Sequence, residues 1–327
     1  MVTVEVGIEK EHFVVHKSFL CAKSQYFVKA LSGSFQEAIT RYVQLPDVSP
    51  VLFRIFVAWI YHGNLLYLPP DGRTVDDDIA SLEITEEELT RNEFAQRKGR
   101  NDLDGNNTDS VHSDDKTSDG GITEPTSATF VTGASGPDNP PDQKTVKDSH
   151  STCISKHQGD DPATWSSDVL VKLYILADRL DIRELRADCL DTLIRAGDRM
   201  HSVTYPKSVR YAYMNTSTGS KLRRYLVHRT AYRSTFIRSS SHWEIFPVEF
   251  LAAVLTTNSR RLPSKQCTKC YERAIKQNVL ADLEIDDVSK TEDLAPYDRD
   301  WCFYHEHTNE EEREACRLRR GSSKSAT

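Results

Sequence analysis

The residues best suited to chemistry lie near the end of the chain: Cys267-Thr268-Lys269-Cys270, then Cys302-Phe303-Tyr304-His305-Glu306-His307, then Cys316. Thiolates and imidazoles a few positions apart reach one common point from a single turn of chain, and Zn²⁺ accepts four such ligands in a tetrahedron. The spacing points to Cys267, Cys270 and Cys302 with either His305 or His307 as a Cys₃His set. Such a centre would be structural, because four protein ligands leave no open position. Against it stand the 31 residues between Cys270 and Cys302, longer than the usual finger loop. The alternative is that the histidines serve as hydrogen-bonding groups at helix ends. A Cys-x-x-Cys redox pair would need a thioredoxin-like βαβ setting, which is missing here.

A second constellation is electrostatic. Between Arg199 and Trp243 there is no Asp or Glu, while Arg199, Lys207, Arg210, Lys221, Arg223, Arg224, Arg229, Arg233 and Arg238 are all basic. Tyr211, Tyr213, Tyr225, Tyr232 and Phe236 lie among them. Basic groups with interleaved aromatics can follow a phosphate backbone while stacking bases, and Arg210, Lys221, Arg223 and Arg224 would be the contacts. The competing reading is a basic face docking on the acidic remainder of the chain, whose formal charge is −7 over 327 residues, or on an acidic partner. No Gly-rich phosphate loop, nucleophile elbow or zincin motif occurs, and Cys21 near His16 reads as a buried thiol rather than an activated one. The expected class is therefore not an enzyme.

These groups need elements to hold them. The strongest is Pro50 to Tyr61, with one charge, Arg54, among twelve residues. A helix apolar nearly all round is buried on most sides. Pro50 suits its first turn and Gly63 a left-handed stop. Before it, Thr3–Ile8 and His12–Val15 read as a hairpin around Glu9-Lys10-Glu11. Two short helices follow, the second capped by Ser24 and ended by Gly33, and then a strand over Tyr42–Leu45. That order is α+β. Thr85-Glu86-Glu87-Glu88 has capping-box spacing before one weak helix. From 101 to 163 only seven large apolar residues occur among 63, too few to offset ordering entropy. Order returns at Trp165. Val169, Leu173, Leu176 and Leu180 form a helical stripe, Asp181 is placed to cap a second helix, and Gly197 to stop it. Further helices are expected near Ser220 and from Phe246.

The ordered series carries a resemblance. Phe13-Val14-Val15-His16-Lys17, Leu20-Cys21, Ser24 with Tyr26-Phe27, and Ala30-Leu31-Ser32-Gly33-Ser34-Phe35-Gln36-Glu37-Ala38 resemble the BTB/POZ domain. So do Leu45-Pro46-Asp47-Val48-Ser49-Pro50, Phe53, Phe56-Val57 and Trp59-Ile60-Tyr61-His62-Gly63. Leu173 to Ile182 with Leu185-Arg186 is similar to the closing helix pair of that domain. Trp59 before an apolar residue, Tyr61 and a Gly resembles the fungal type, as do Val209 to Val227 and the Cys302, His305, Glu306, His307 tail. The resemblance implies an α+β BTB/POZ fold interrupted by a long disordered insertion and followed by an α-helical annex. The expected boundaries are 1–66 for the first part, 67–164 for the insertion, 165–197 for the closing helices and 198–327 for the annex. It implies interaction with other proteins, by self-association or in a hetero-complex, and adaptor work for a cullin-type ubiquitin ligase. Separately, seven cysteines, an odd count, with Cys21 and Cys189 in apolar contexts suit a reducing cytoplasm or nucleus. His16, Lys17, Phe53, Phe56, Trp59, Leu173 and Leu176 are the expected core and interaction residues, with the two leucines against Phe56 and Trp59. The extra N-terminal strand that many members exchange has no counterpart here, which weighs against the usual swapped homodimer. No apolar run approaches the about 20 residues that a membrane helix takes.

Overall fold

The first strand, β1 (Val2–Val6), sits at the centre of a three-stranded sheet. It pairs antiparallel with β2 (Glu11–Val15), Val4 opposite Phe13, and parallel with β3 (Tyr42–Leu45), Val4 opposite Val43. Val2, Val4 and Val6 are all buried while Thr3 and Glu5 are only partly covered, the period-two alternation of a sheet with one face on a core. The structure is a computed structural model that describes residues 1–94, 157–200, 205–234, 243–261 and 294–324. All of them belong to a single compact unit.

Helices α1 (Lys17–Lys23) and α2 (Gln25–Leu31) follow the hairpin. The Ser24 hydroxyl accepts from the Phe27 N–H at 3.2 Å, the N-cap expected of it. Helix α2 ends at Ser32 rather than Gly33, and a short α3 (Gln36–Thr40) precedes β3. The apolar run forms α4 (Pro50–His62). Its last turn closes on Gly63, at φ 73°, whose N–H donates to the Trp59 carbonyl. Seven of its thirteen side chains are buried, Phe53, Ile55 and Phe56 completely, so α4 is the axis of the core.

Residues 67–94 and 157–164, which the expected boundaries placed in the insertion, are packed structure. Tyr67, Ile79, Leu82, Ile84 and Leu89 are buried, on and around α5 (Val75–Ala80) and a helix α6 over 86–94. Thr85 caps α6 by accepting from the Glu88 N–H at 3.2 Å. The Tyr67 N–H donates to the Gly159 carbonyl at 2.8 Å, joining the chain on either side of the interruption. A Cβ at position 159 would overlap the Tyr67 carbonyl, so only glycine allows that approach. A few large side chains per segment sufficed, because the partners they cover lie far away in sequence. Residues 95–156, the remainder of the expected insertion, lie outside the described residues.

Helix α7 (Ser167–Arg179) buries every residue from Val169 to Ala177. It ends in a Schellman motif: the Ile182 N–H donates to the Ala177 carbonyl and the Asp181 N–H to Asp178, with Asp181 left-handed at φ 50°. Asp181 therefore terminates α7 instead of capping the next helix. That helix, α8 (Arg183–Met200), runs through Gly197 rather than stopping there. The glycine makes room: a Cβ would stand 2.8 Å from the Arg229 guanidinium carbon, and Arg229 is itself buried and paired with Asp198.

Helices α9 (Pro206–Asn215), α10 (Lys221–Arg233) and α11 (Val248–Arg261) pack as an annex, and α12 (Glu310–Lys324) follows a single turn at Pro296–Arg299. The annex has no separate core. One continuous apolar cluster runs from Val2 through Phe56 and Leu173 to Tyr225, Phe250 and Tyr304. The Arg186 guanidinium, almost fully covered, grips both Glu306 oxygens at 3.1 and 2.6 Å and so ties α8 to the tail. Removing Glu306 as Ala leaves that cation short of its best partner, with Asp178 the nearest remaining carboxylate at 3.4 Å. Urea unfolding of Glu306→Ala should show a loss of about 2 kcal/mol, partly recovered in Glu306→Gln; an unchanged midpoint would show that the pair carries no stability.

Candidate interaction surface and candidate metal centre

The expected core residues sit in the core. Phe53, Phe56, Trp59, Leu173 and Leu176 are at most 4% exposed and belong to one cluster, with α4 packed on α7. The Trp59 indole N–H donates to Asp188 Oδ2 on α8 at 2.7 Å. The Ser24 hydroxyl donates to the Leu180 carbonyl at 2.6 Å, and Arg179 chelates Asp47 at 2.7 and 3.2 Å. The early and late parts of the chain are thus joined by polar contacts as well as by apolar ones.

His16 and Lys17 serve local architecture. His16 Nδ1 lies 2.7 Å from the Tyr61 hydroxyl, which also accepts from the His16 N–H, and Phe19 stands edge-on to both rings. Lys17 Nζ donates to the Leu31 carbonyl at 2.6 Å, a cation at the negative end of α2. What the sequence did not single out is the turn at α3. There Phe35 is 62% and Ile39 76% exposed, two large apolar side chains beside each other on the helical turn with no cover among the described residues. Isolated exposed apolar residues are ordinary; here two fall on one short element. A signal for it was available in Phe35 and Ile39 standing four residues apart around Gln36-Glu37.

The basic stretch faces acids of the same chain. Arg210 contacts Glu93 at 2.8 Å and Glu86 at 3.1 Å, Arg199 contacts Asp161 at 2.7 Å, and Arg233 contacts Asp298 at 3.0 Å. Arg223 donates to the Tyr213 carbonyl at 2.6 Å and lies 4.4 Å over the Tyr213 ring. Tyr225, expected as a stacking platform, is buried with its hydroxyl on the Leu193 carbonyl. Lys221 is half-buried and Arg224 exposed. Five of the nine basic positions, Arg199, Lys207, Arg210, Arg229 and Arg233, thus pair with carboxylates of the same chain.

In the tail, Cys302, His305, His307 and Cys316 converge, with one potential ligand atom from each inside a group no wider than 4.8 Å. Cys267 and Cys270 lie outside the described residues. A turn in which the His305 N–H donates to the Cys302 carbonyl presents the first three, while the Cys302 N–H is held by Asp300 Oδ1. Helix α12 returns Cys316 to them. Its start is fixed by Thr308, whose N–H and hydroxyl both donate to Glu312, and by the Glu312 N–H on Asn309. Arg313 pairs with Asp300 across the same corner. Cys316 Sγ lies 3.4 Å from His305 Nδ1, and His305 Nε2 lies 2.9 Å from Asp191 Oδ1 on α8. His307 Nε2 is buried with no hydrogen-bond partner among the described residues. Burial, and then the neighbouring Cys316, pushes the Cys302 thiol up to about 12, and burial holds both imidazoles below their usual range.

The described part of the chain is a small three-stranded sheet with helices packed around an apolar α4. Residues 1–81 match the BTB/POZ domain family, so the chain carries a BTB/POZ domain, a protein–protein interaction module, over β1 to α5. Among curated proteins it is similar to the Kelch repeat and BTB domain-containing protein 4 of Homo sapiens, Mus musculus and Pongo abelii, each 34% identical over 62 residues. Those residues are 19% of this chain and 12% of each relative. These relatives are animal proteins and lend no support to a fungal type. No solved structure matches. Among the described residues no helix is long and apolar enough to cross a membrane.

Proposed function

We propose that the chain is a docking adaptor whose BTB/POZ domain binds a cullin-type ubiquitin-ligase scaffold. In this reading α7 and α8 are the closing helices of the same domain, on the far side of the interruption. The exposed Phe35 and Ile39 pair carries the proposal: buried, such side chains become the apolar anchors of an interface, where a few residues supply most of the energy. The likeness to a protein that combines a BTB domain with Kelch repeats supports an adaptor role, with the BTB part as one docking half. The continuous core from α4 to α7 and α8 supports the split domain.

The test is a calorimetric titration of the purified chain with a purified cullin. The expected result is saturable binding, weakened at least tenfold in a Phe35→Ala, Ile39→Ala double variant that unfolds at the parent midpoint. Absence of binding, or equal affinity in the double variant, would refute the assignment.

A further inference from the structure

We infer that Cys302, His305, His307 and Cys316 form a Cys₂His₂ structural zinc site that staples the C-terminal helix α12 to α8. The four residue types are the ligands Zn²⁺ prefers, and four of them close the site. With bonds of about 2.3 Å to sulfur and 2.0 Å to nitrogen, tetrahedral ligand atoms stand about 3.3 to 3.8 Å apart. The observed 3.4 Å between Cys316 Sγ and His305 Nδ1 already falls in that range, and the whole group lies within 4.8 Å. A side-chain adjustment of an ångström or so closes the rest.

Two further observations point to a cation rather than to a packed core of polar groups. His305 presents Nδ1 to the cluster while Nε2 meets the Asp191 carboxylate at 2.9 Å, both side chains being at most 5% exposed. A carboxylate holding the far nitrogen fixes the tautomer and turns the near nitrogen's lone pair outward, the arrangement that supports metal-bound histidines. His307 Nε2 is buried without a partner among the described residues, a desolvation cost that a metal bond removes. Glu306, between the two histidines, points instead to Arg186 and is excluded from the ligand set. Binding exchanges Zn²⁺ for the two thiol protons of Cys302 and Cys316, and the centre formed is neutral. Asp191 is a positioning residue in this site.

Metal analysis of the full chain, purified without chelator under reducing conditions, should find about one zinc per chain. Cys316→Ser and His307→Ala should each remove most of it, whereas Cys267→Ser and Cys270→Ser should retain it. Asp191→Asn should weaken zinc affinity 10- to 100-fold, read by competition with a chromophoric chelator. Because the ligand variants can fail to fold, the parent protein gives a second readout: Co²⁺ added to the metal-free chain should produce intense tetrahedral d–d bands with a thiolate-to-cobalt charge-transfer band. A folded chain with no zinc, a weak octahedral cobalt spectrum, a Cys302–Cys316 disulfide in the purified protein, or zinc that depends on Cys267 and Cys270 would each overturn the site.

Discussion

Phe56→Ala on α4 and Leu173→Ala on α7 are each expected to destabilise the same folded unit, by about 3–5 and 2–5 kcal/mol respectively. Both side chains are fully buried, in one cluster and on helices that pack together, although more than a hundred residues separate them. Truncation removes the transfer energy of the lost atoms and leaves a cavity that a close-packed interior fills only in part. The two urea transitions should shift as one, and the double variant should lose less than the two single losses combined, because neighbours in one core couple by about 0.5–3 kcal/mol. If Leu173→Ala left the transition of the BTB/POZ residues where it was, α7 would belong to a separate unit. The split-domain proposal would then fail.

Acidification should weaken the annex through His228. This ring lies against Tyr232, Phe303 and Tyr304, and with the ring neutral the Tyr304 hydroxyl donates to Nδ1 at 2.8 Å. Burial first, then the charges of Arg224 and Arg260, lowers it from 6.5 to about 4. The folded value lies below the unfolded one, so the unfolded chain takes up the proton first as pH falls. Above about 6.5 both states are neutral and His228 contributes no pH dependence. Between about 6.5 and 4 stability should fall by roughly 1.4 kcal/mol per pH unit, about 3 kcal/mol in all, and level off below. His228→Asn keeps an acceptor for Tyr304 and cannot take the proton in this range. Unfolding measured against pH at matched metal content should therefore lose this slope in the variant. An identical slope in parent and variant would locate the titration elsewhere.

Local signals were legible wherever one segment's own chemistry decides its conformation. The apolar run with Pro50 and Gly63 at its ends specified α4, Ser24 and Thr85 capped the helices they precede, and the hairpin expected over Thr3–Ile8 and His12–Val15 is present as Val2–Val6 paired with Glu11–Val15. The motif series from Phe13 to Gly63 was likewise readable as BTB/POZ, and that domain is present over residues 1–81. Glycine and aspartate misled where their role was tertiary. Gly197 has the composition of a helix stop but makes room for Arg229, and Asp181 has the composition of a cap but takes the left-handed position that ends α7.

Partners across long separations were not legible, because nothing in a local window encodes them. The sequence alone determined that a stretch rich in arginine exists, that Cys and His cluster in the tail, and that an apolar helix must be buried. Only the tertiary structure decided that Arg210 faces Glu86 and Glu93 from more than a hundred residues away. It alone brought α12 back so that Cys316 meets His305, and set Asp191 of α8 behind that histidine. The physical reason is that residue type and spacing set what a side chain can bond to within a turn or two. Which groups it meets depends on how the apolar faces of distant helices cover one another.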